Sequence, residues 1–261
     1  MADSVRAAPV LRGAPNFRDL GHQQTLDGRQ LRAGRVYRSE VLHQLHDDDM
    51  AAVSACGIGL VMDLRSAAES AALPNRHFEH GTEVLSFDIG ADIRAGGSFW
   101  EWLKNDPSPS GVSAVMRHVY EALPLASVPA LRTMFERLAA GAPPLLVHCA
   151  AGKDRTGFVV AMLLHALGVQ RDAIVADYLE SDRRASDARR AHATRMLEQA
   201  SGQAADPGSV ALIAGVRQEY LEHSFSVLDR DFGGIDGFLT SRVGLEEGLR
   251  RRVREHLLTP H

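Results

Sequence analysis

The stretch LLVHCAAGKDRTGFVVAMLL, Leu145 to Leu164, limits what this chain can fold into more than any other. An apolar run ends in His148-Cys149. Ala150, Ala151 and Gly152 follow, then Lys153, Asp154, Arg155 and Thr156, and the sequence turns apolar again at Phe158. A short apolar run entered from Pro143-Pro144 reads as a buried strand, and FVVAMLLHAL as a helix packed on a sheet. The connection between them must be a tight turn, which Ala150, Ala151, Gly152 and Gly157 are small enough to permit. Successive N–H groups in such a turn can point inward, and the helix adds the positive end of its dipole. The result is a cup for a tetrahedral dianion.

Cys149 stands at the bottom of that cup. Surroundings that hold an anion also favour a thiolate, and thiols so placed ionise at pH about 3.5–7.5 instead of about 8.5. Arg155 can grip two phosphoryl oxygens through its planar fork. Thr156 can donate its hydroxyl to the sulfur, and His148 can hold the loop by hydrogen bonding rather than act as a base. This constellation supports two-step phosphoryl transfer, with attack by the thiolate and hydrolysis of a cysteinyl-phosphate by water. No metal and no cofactor is expected, because Arg155 and the loop amides carry the charge. The loop is not a nucleotide-binding P-loop, since it lacks GK[ST] with the required upstream glycine.

Departure of the leaving oxygen calls for a proton donor. Asp154, inside the loop, is the favoured candidate, with Asp63 at the end of IGLVMD and Asp88 at the end of VLSFD as the others. Asp63 reads more readily as a structural residue holding Arg65 or the loop. Arg65 and Glu69 are expected to pair in support of the site, and Arg18 and Arg38 to be buried partners of carboxylates. Arg183, Arg184, Arg189 and Arg190 read as a solvated helix face balanced by Asp182 and Asp187, with a docking surface for acidic peptides or inositol phosphates as the sharper alternative.

Elsewhere, short strand-like runs alternate with helical ones before residue 170, and helical patterns fill 170–261. The expected fold is a three-layer α/β/α domain spanning 1–261, with a central, mostly parallel sheet and extra C-terminal helices. Asp47 is a plausible N-cap for a helix over 47–57, stopped by Gly57. VLSFDIG reads as a second buried strand. Residues 90–113, rich in Gly, Pro and Ser around Phe99, Trp100 and Trp102, read as a mobile flap or an irregular surface loop. SDRRASDARRAHATRMLEQA reads as one long charged helix.

Twenty-nine basic against 33 acidic residues give a net charge of −4, so no overall positive field collects nucleic acid. Two cysteines in 261 residues make no disulfide scaffold. The N-terminus has no apolar signal region, and the apolar runs are too short to span a bilayer. The default expectation is a cytoplasmic protein, with export by a route that uses no cleaved signal left open. Oligomeric state has no signature in the sequence.

HCAAGKDRTG resembles the Cys-x5-Arg signature of the protein tyrosine phosphatase superfamily. Lys153-Asp154 narrows the resemblance to bacterial atypical tyrosine/serine phosphatases of the PtpB type. NFRDLG, DGRQLRAGRVYRSE, MDLRSAAE, DYLESDRR, DFGGIDGFL and GLEEGLRRRVREHLL are similar to that family's segments in the same order. One departure is His22, where the family commonly has a second Gly after Gly21, and it is expected to affect a turn only. The resemblance implies a phosphatase-type fold, activity on phosphotyrosine, no cofactor, and a helical lid, here about 90–125. Lys153 and Asp154 also resemble loop residues of phosphoinositide phosphatases, so the implied partners are phosphorylated proteins or phosphoinositides. Lys153 is expected at the rim. Rhodanese-like enzymes, arsenate reductases and non-catalytic phosphate-binding modules are the alternatives. The first two generally lack the Arg-Thr-Gly ending, and the third would be expected to have lost Cys149 or Arg155.

Overall fold

The computed structural model describes residues 8–76, 78, 81–89 and 98–260. Five strands form one sheet, namely β1 (Arg18–Asp19), β2 (Val36–Ser39), β3 (Leu60–Asp63), β4 (Glu83–Ser86) and β5 (Leu145–His148), in the order β1-β2-β5-β3-β4. Only β1 runs antiparallel to its neighbour. The α/β/α expectation with a mostly parallel sheet is met. β5 is central and buried throughout, as a strand covered on both faces must be. Side chains alternate across the sheet. Leu60, Met62, Leu145 and Val147 face the larger core beneath most of the helices. Val61, Leu146 and Tyr37 face a smaller core closed by the N-terminal segment and helix α1 (Asp47–Ser54). Ser39, Asp63 and His148 share one register, so the turns after β2, β3 and β5 leave the same edge of the sheet.

The remaining helices are α2 (Ala67–Ala72), α3 (Ser98–Asn105), α4 (Pro109–Ala126), α5 (Val128–Ala139), α6 (Asp154–Leu167), α7 (Arg171–Arg183), α8 (Asp187–Ser201), α9 (Pro207–Ala214), α10 (Gln218–Phe232), α11 (Ile235–Phe238) and α12 (Glu247–Leu257), with a π-helical turn at Leu239–Val243. α6 packs on β5 and β2, and α3, α4, α8 and α9 pack on one another. No helix among the described residues is long and apolar enough to cross a membrane.

Several elements differ from the sequence reading. α1 is capped by His46, whose side chain and Asp49 form a capping box, so Asp47 is the first helical residue instead of the cap. β4 is not buried. It is the sheet edge, and Val84 is 46% exposed. The described part of the stretch read as a flap or loop is mostly helical, with a short break at 106–108 between α3 and α4, and Leu103 and Val112 are fully buried. The long charged helix breaks in two where Ser186 caps α8 by accepting from Arg189 N. His22 has φ +70°, the only left-handed non-glycine among the described residues, which explains a preference for glycine at that turn.

Candidate active site

β5 delivers the chain to Cys149, and α6 takes it away from Asp154. Between them the loop carbonyls are turned to the rear. Val41 N donates to Ala150 O at 3.0 Å. Asn16 Nδ2 donates to Ala151 O and Gly152 O at 3.2 and 3.1 Å, and Arg38 Nη2 donates to Gly152 O at 2.8 Å. With the carbonyls held there, no N–H from Ala150 to Lys153 donates to a protein acceptor among the described residues. Gly152 is required, since it has φ +64° and a Cβ would lie 2.3 Å from Ser39 O. Gly157 serves differently from the sequence reading. It sits inside α6, where a Cβ would lie 2.7 Å from the Tyr178 ring, so its smallness admits that ring and not the turn.

Cys149 is 2% exposed and lines a cavity of about 140 Å³ together with Ala150, Ala151, Lys153, Asp154 and Arg155. Arg155 Nη1 and Nη2 donate to the two oxygens of Glu69 at 2.7 and 2.9 Å, and Nη1 also reaches Leu64 O at 3.2 Å. Burial works against the guanidinium charge. The Glu69 hydrogen bonds and the neighbouring acidic groups Cys149, Glu69 and Asp154 outweigh it and hold Arg155 cationic. Thr156 is buried, and its Oγ1 has no partner among the described residues.

The expected Arg65–Glu69 pair is absent. Glu69 closes the capping box of α2 by accepting from Ser66 N at 2.8 Å, and its carboxylate is thereby held for Arg155. The motif Ser66-x-x-Glu69 was the available signal for this arrangement. Arg65 forks onto Asp63 instead, with Nε at 2.9 Å and Nη2 at 2.6 Å, and also reaches Leu73 O and Asn75 Oδ1. Burial alone would raise the Asp63 pKa, but the Arg65 hydrogen bonds and the neighbouring His148 and Arg65 charges bring it below the ordinary value. Asn75 Nδ2 lies 3.1 Å from His148 Nε2. Asn75 Oδ1 accepts from Arg65, so Nδ2 is the donor, Nε2 accepts, and the His148 proton sits on Nδ1, 3.4 Å from Cys149 O. Burial drives the His148 pKa down to about 4.

Of the three aspartates considered as proton donors, only Asp154 lines the cavity. Asp63 is behind the loop, and exposed Asp88 accepts from Ala67 N at the start of α2. Asp154 Oδ1 accepts from Tyr120 at 2.5 Å and from Lys153 Nζ at 3.1 Å. Lys153 is 4% exposed and also donates to Gly215 O at 3.1 Å, so its ammonium belongs to the inner wall and not the rim.

The cavity is roofed by Phe99 of α3, Met116 and Val119 of α4, Met196 of α8 and Ile213 of α9. The expected lid at 90–125 supplies part of this roof, while residues 90–97 lie outside the described residues. The rest of the roof comes from α8 and α9, whose part in the cavity wall the sequence reading does not anticipate. Arg189, His192, Ala193 and Met196 all line the cavity at helical spacing, which is the sequence signal that α8 has a second, inward face. The basic run is therefore not a uniformly solvated face. Arg189 is 8% exposed and donates to Ser181 O at 2.6 Å, and Arg183 and Arg184 pair with Glu180 instead of Asp182 or Asp187.

Among known proteins, the sequence model of the tyrosine phosphatase family matches residues 9–259. The triple specificity protein phosphatase PtpB of Mycobacterium tuberculosis is 36% identical over 284 residues, covering 98% of this chain and 99% of that protein. A protein of Cupriavidus necator named as a candidate tyrosine-protein phosphatase is 34% identical over 93% of this chain and 85% of its own length. A tyrosine-protein phosphatase of Nostoc commune is 30% identical over 94% of this chain and 87% of its own.

Proposed function

The chain belongs to the tyrosine phosphatase family, and we propose that it hydrolyses phosphotyrosine through a phosphoryl intermediate on Cys149. The observation that carries this reading is the placement of Cys149 in an amide-lined cavity beside an arginine locked by Glu69. Arg155 and the N–H groups of Ala150, Ala151, Gly152 and Lys153 bind the phosphoryl oxygens. The thiolate forms the S–P bond as the P–O bond to the leaving phenol breaks, and Asp154 gives its proton to the departing oxygen. Water then attacks phosphorus and returns a proton to Asp154. The S–P bond breaks, Thr156 donates to the re-forming thiolate, and inorganic phosphate leaves. Neutral His148, with Asp63 and Arg65 behind it, holds the loop. The charge stabilisation lies in this chain's own groups, so the proposal uses no cofactor.

The apolar roof suits an aryl ring. The relative named as triple specificity supports extending the substrates to phosphoserine, phosphothreonine and phosphoinositides. The family match over 9–259 supports reading the chain as one phosphatase domain. Two free cysteines fit the cytoplasmic default.

The test is phosphate release from p-nitrophenyl phosphate in the presence of a metal chelator. Vanadate should block it, and Cys149→Ser should reduce it to background. An acid-quenched turnover mixture should carry the phosphoryl group on the Cys149 peptide. Activity that survives Cys149→Ser, or a phosphoryl group on another residue, rejects the mechanism.

A further inference from the structure

Asp154 is held from behind. The Tyr120 oxygen, 2.5 Å from Asp154 Oδ1, also lies 2.6 Å from the Tyr178 oxygen. A phenol has one proton to donate. Tyr120 gives its hydrogen bond to Asp154, so Tyr178 must donate to Tyr120, and the chain runs one way from Tyr178 to Asp154. Both tyrosines are fully buried. Burial first, and the charge of Asp154 second, hold both phenols protonated far above their ordinary range. Their rings are fixed as well. Tyr120 packs against Tyr220 at 5.3 Å and meets Tyr178 edge-on at 6.5 Å, and Gly157 leaves the space in which the Tyr178 ring lies. Tyr120 does not line the cavity and touches no reacting atom.

From this geometry we infer that Tyr120, backed by Tyr178, is a positioning residue for proton transfer by Asp154, an inference that rests on the assignment of Asp154 as proton donor. Tyr120 occupies Oδ1, so the transferred proton is assigned to Oδ2, the oxygen Tyr120 does not engage and which Lys153 Nζ approaches at 3.0 Å. A hydrogen bond to a carboxyl oxygen strengthens as the carboxylate becomes charged. The Tyr120 bond therefore tightens as the proton leaves Oδ2. It is stronger in the transition state than in the ground state, which is the condition for raising kcat. In the second half-reaction it steadies the same carboxylate as acceptor of the proton from water.

The test uses aryl phosphates from p-nitrophenyl phosphate, whose leaving group departs without help, to a phosphotyrosine peptide. Wild type is compared with Tyr120→Phe, Tyr178→Phe, Asp154→Asn and the Tyr120→Phe/Asp154→Asn double variant. Tyr120→Phe should lower kcat on phosphotyrosine by about 10-fold or more, one charged hydrogen bond's worth, and leave p-nitrophenyl phosphate within about 2-fold. Tyr178→Phe should act in the same direction by less. In the Asp154→Asn background, Tyr120→Phe should leave the ratio of the two rates unchanged, because its route to the chemistry is gone. The ratio reads only the folded fraction, so partial unfolding does not mimic the effect. A uniform loss across the substrates, or an equal change of ratio in both backgrounds, overturns the inference. A steep Asp154→Asn beside a flat Tyr120→Phe overturns it alone. A flat Asp154→Asn overturns the Asp154 assignment and takes this inference with it.

Discussion

His148 shows how one residue beside Cys149, the proposed nucleophile, is tuned by burial. Its pKa of about 4, against the model-peptide value of 6.5, means that the folded state keeps the ring neutral while the unfolded chain protonates it between those limits. The unfolded state then binds more protons, so stability present above pH 6.5 is lost as the pH falls toward 4. The shift corresponds to about 3 kcal/mol. A His148→Gln variant should start less stable at pH 7, because its contacts to Asn75 and the loop change, yet lose less on acidification. Urea midpoints measured from pH 7 to 4.5 check this. Asp63 and Asp177, both depressed, lose their contributions only below the ordinary aspartate range, outside this window. Glu40, raised by burial, runs in the opposite sense but is common to both proteins. Parallel pH curves for the two proteins would contradict the account.

Elements far apart in sequence meet behind the loop through charge. Asp177 of α7 accepts from Arg18 of β1 at 2.9 Å and from Arg38 of β2 at 2.5 Å, with all three side chains buried. Burial, then the neighbouring Arg38, lowers the Arg18 pKa to about 10. Asp177→Asn would leave two buried guanidinium groups without a carboxylate, and should cost about 3–5 kcal/mol in urea unfolding. Activity should fall with it, since Arg38 also holds Gly152 O. A loss below about 1 kcal/mol would show that the arginines do not depend on this carboxylate. The sequence reading already named Arg18 and Arg38 as buried partners of carboxylates, because cationic side chains in apolar strand segments need them. It could not name Asp177, 139 positions from Arg38, because only the tertiary fold brings them together. The same limit explains Glu69. Its neighbour at i−4, Arg65, looked like its partner, while the cap geometry of α2 turned the carboxylate toward Arg155. Local rules were sufficient for β5, the loop and α6, where apolar period and small residues coincide. They failed for α3, whose helical state depends on burying Leu103 in the core and not on a composition rich in turn formers nearby.

At the scale of the whole molecule, the loop from Cys149 to Arg155 is a small charged floor beneath a roof of four helices. That contrast orders the substrates. The roof contributes Phe99, Met116, Val119, Met196 and Ile213, which favour an aryl or other apolar group next to the phosphate. The cations lining the cavity are Arg155, Lys153, Arg189 and, when protonated, His192, and Arg155 is already engaged by Glu69. An aryl phosphate ester carries a single phosphate and needs little beyond Arg155 and the amides. A phosphoinositide brings further phosphates, and Lys153 in the inner wall is the nearest cation in sequence to meet them. Lys153 also holds Asp154 and Gly215 O, so its removal would disturb the proposed proton donor for every substrate. The two roles separate in a ratio. Lys153→Ala should lower kcat/KM on a phosphotyrosine peptide through its contact with Asp154, and lower it about 10-fold further on phosphoinositides, the scale of one charge-assisted contact. Both substrates assayed on one preparation give the ratio directly. Equal losses would assign Lys153 to Asp154 alone and place phosphoinositide recognition, where it occurs, on Arg189 and the helices above.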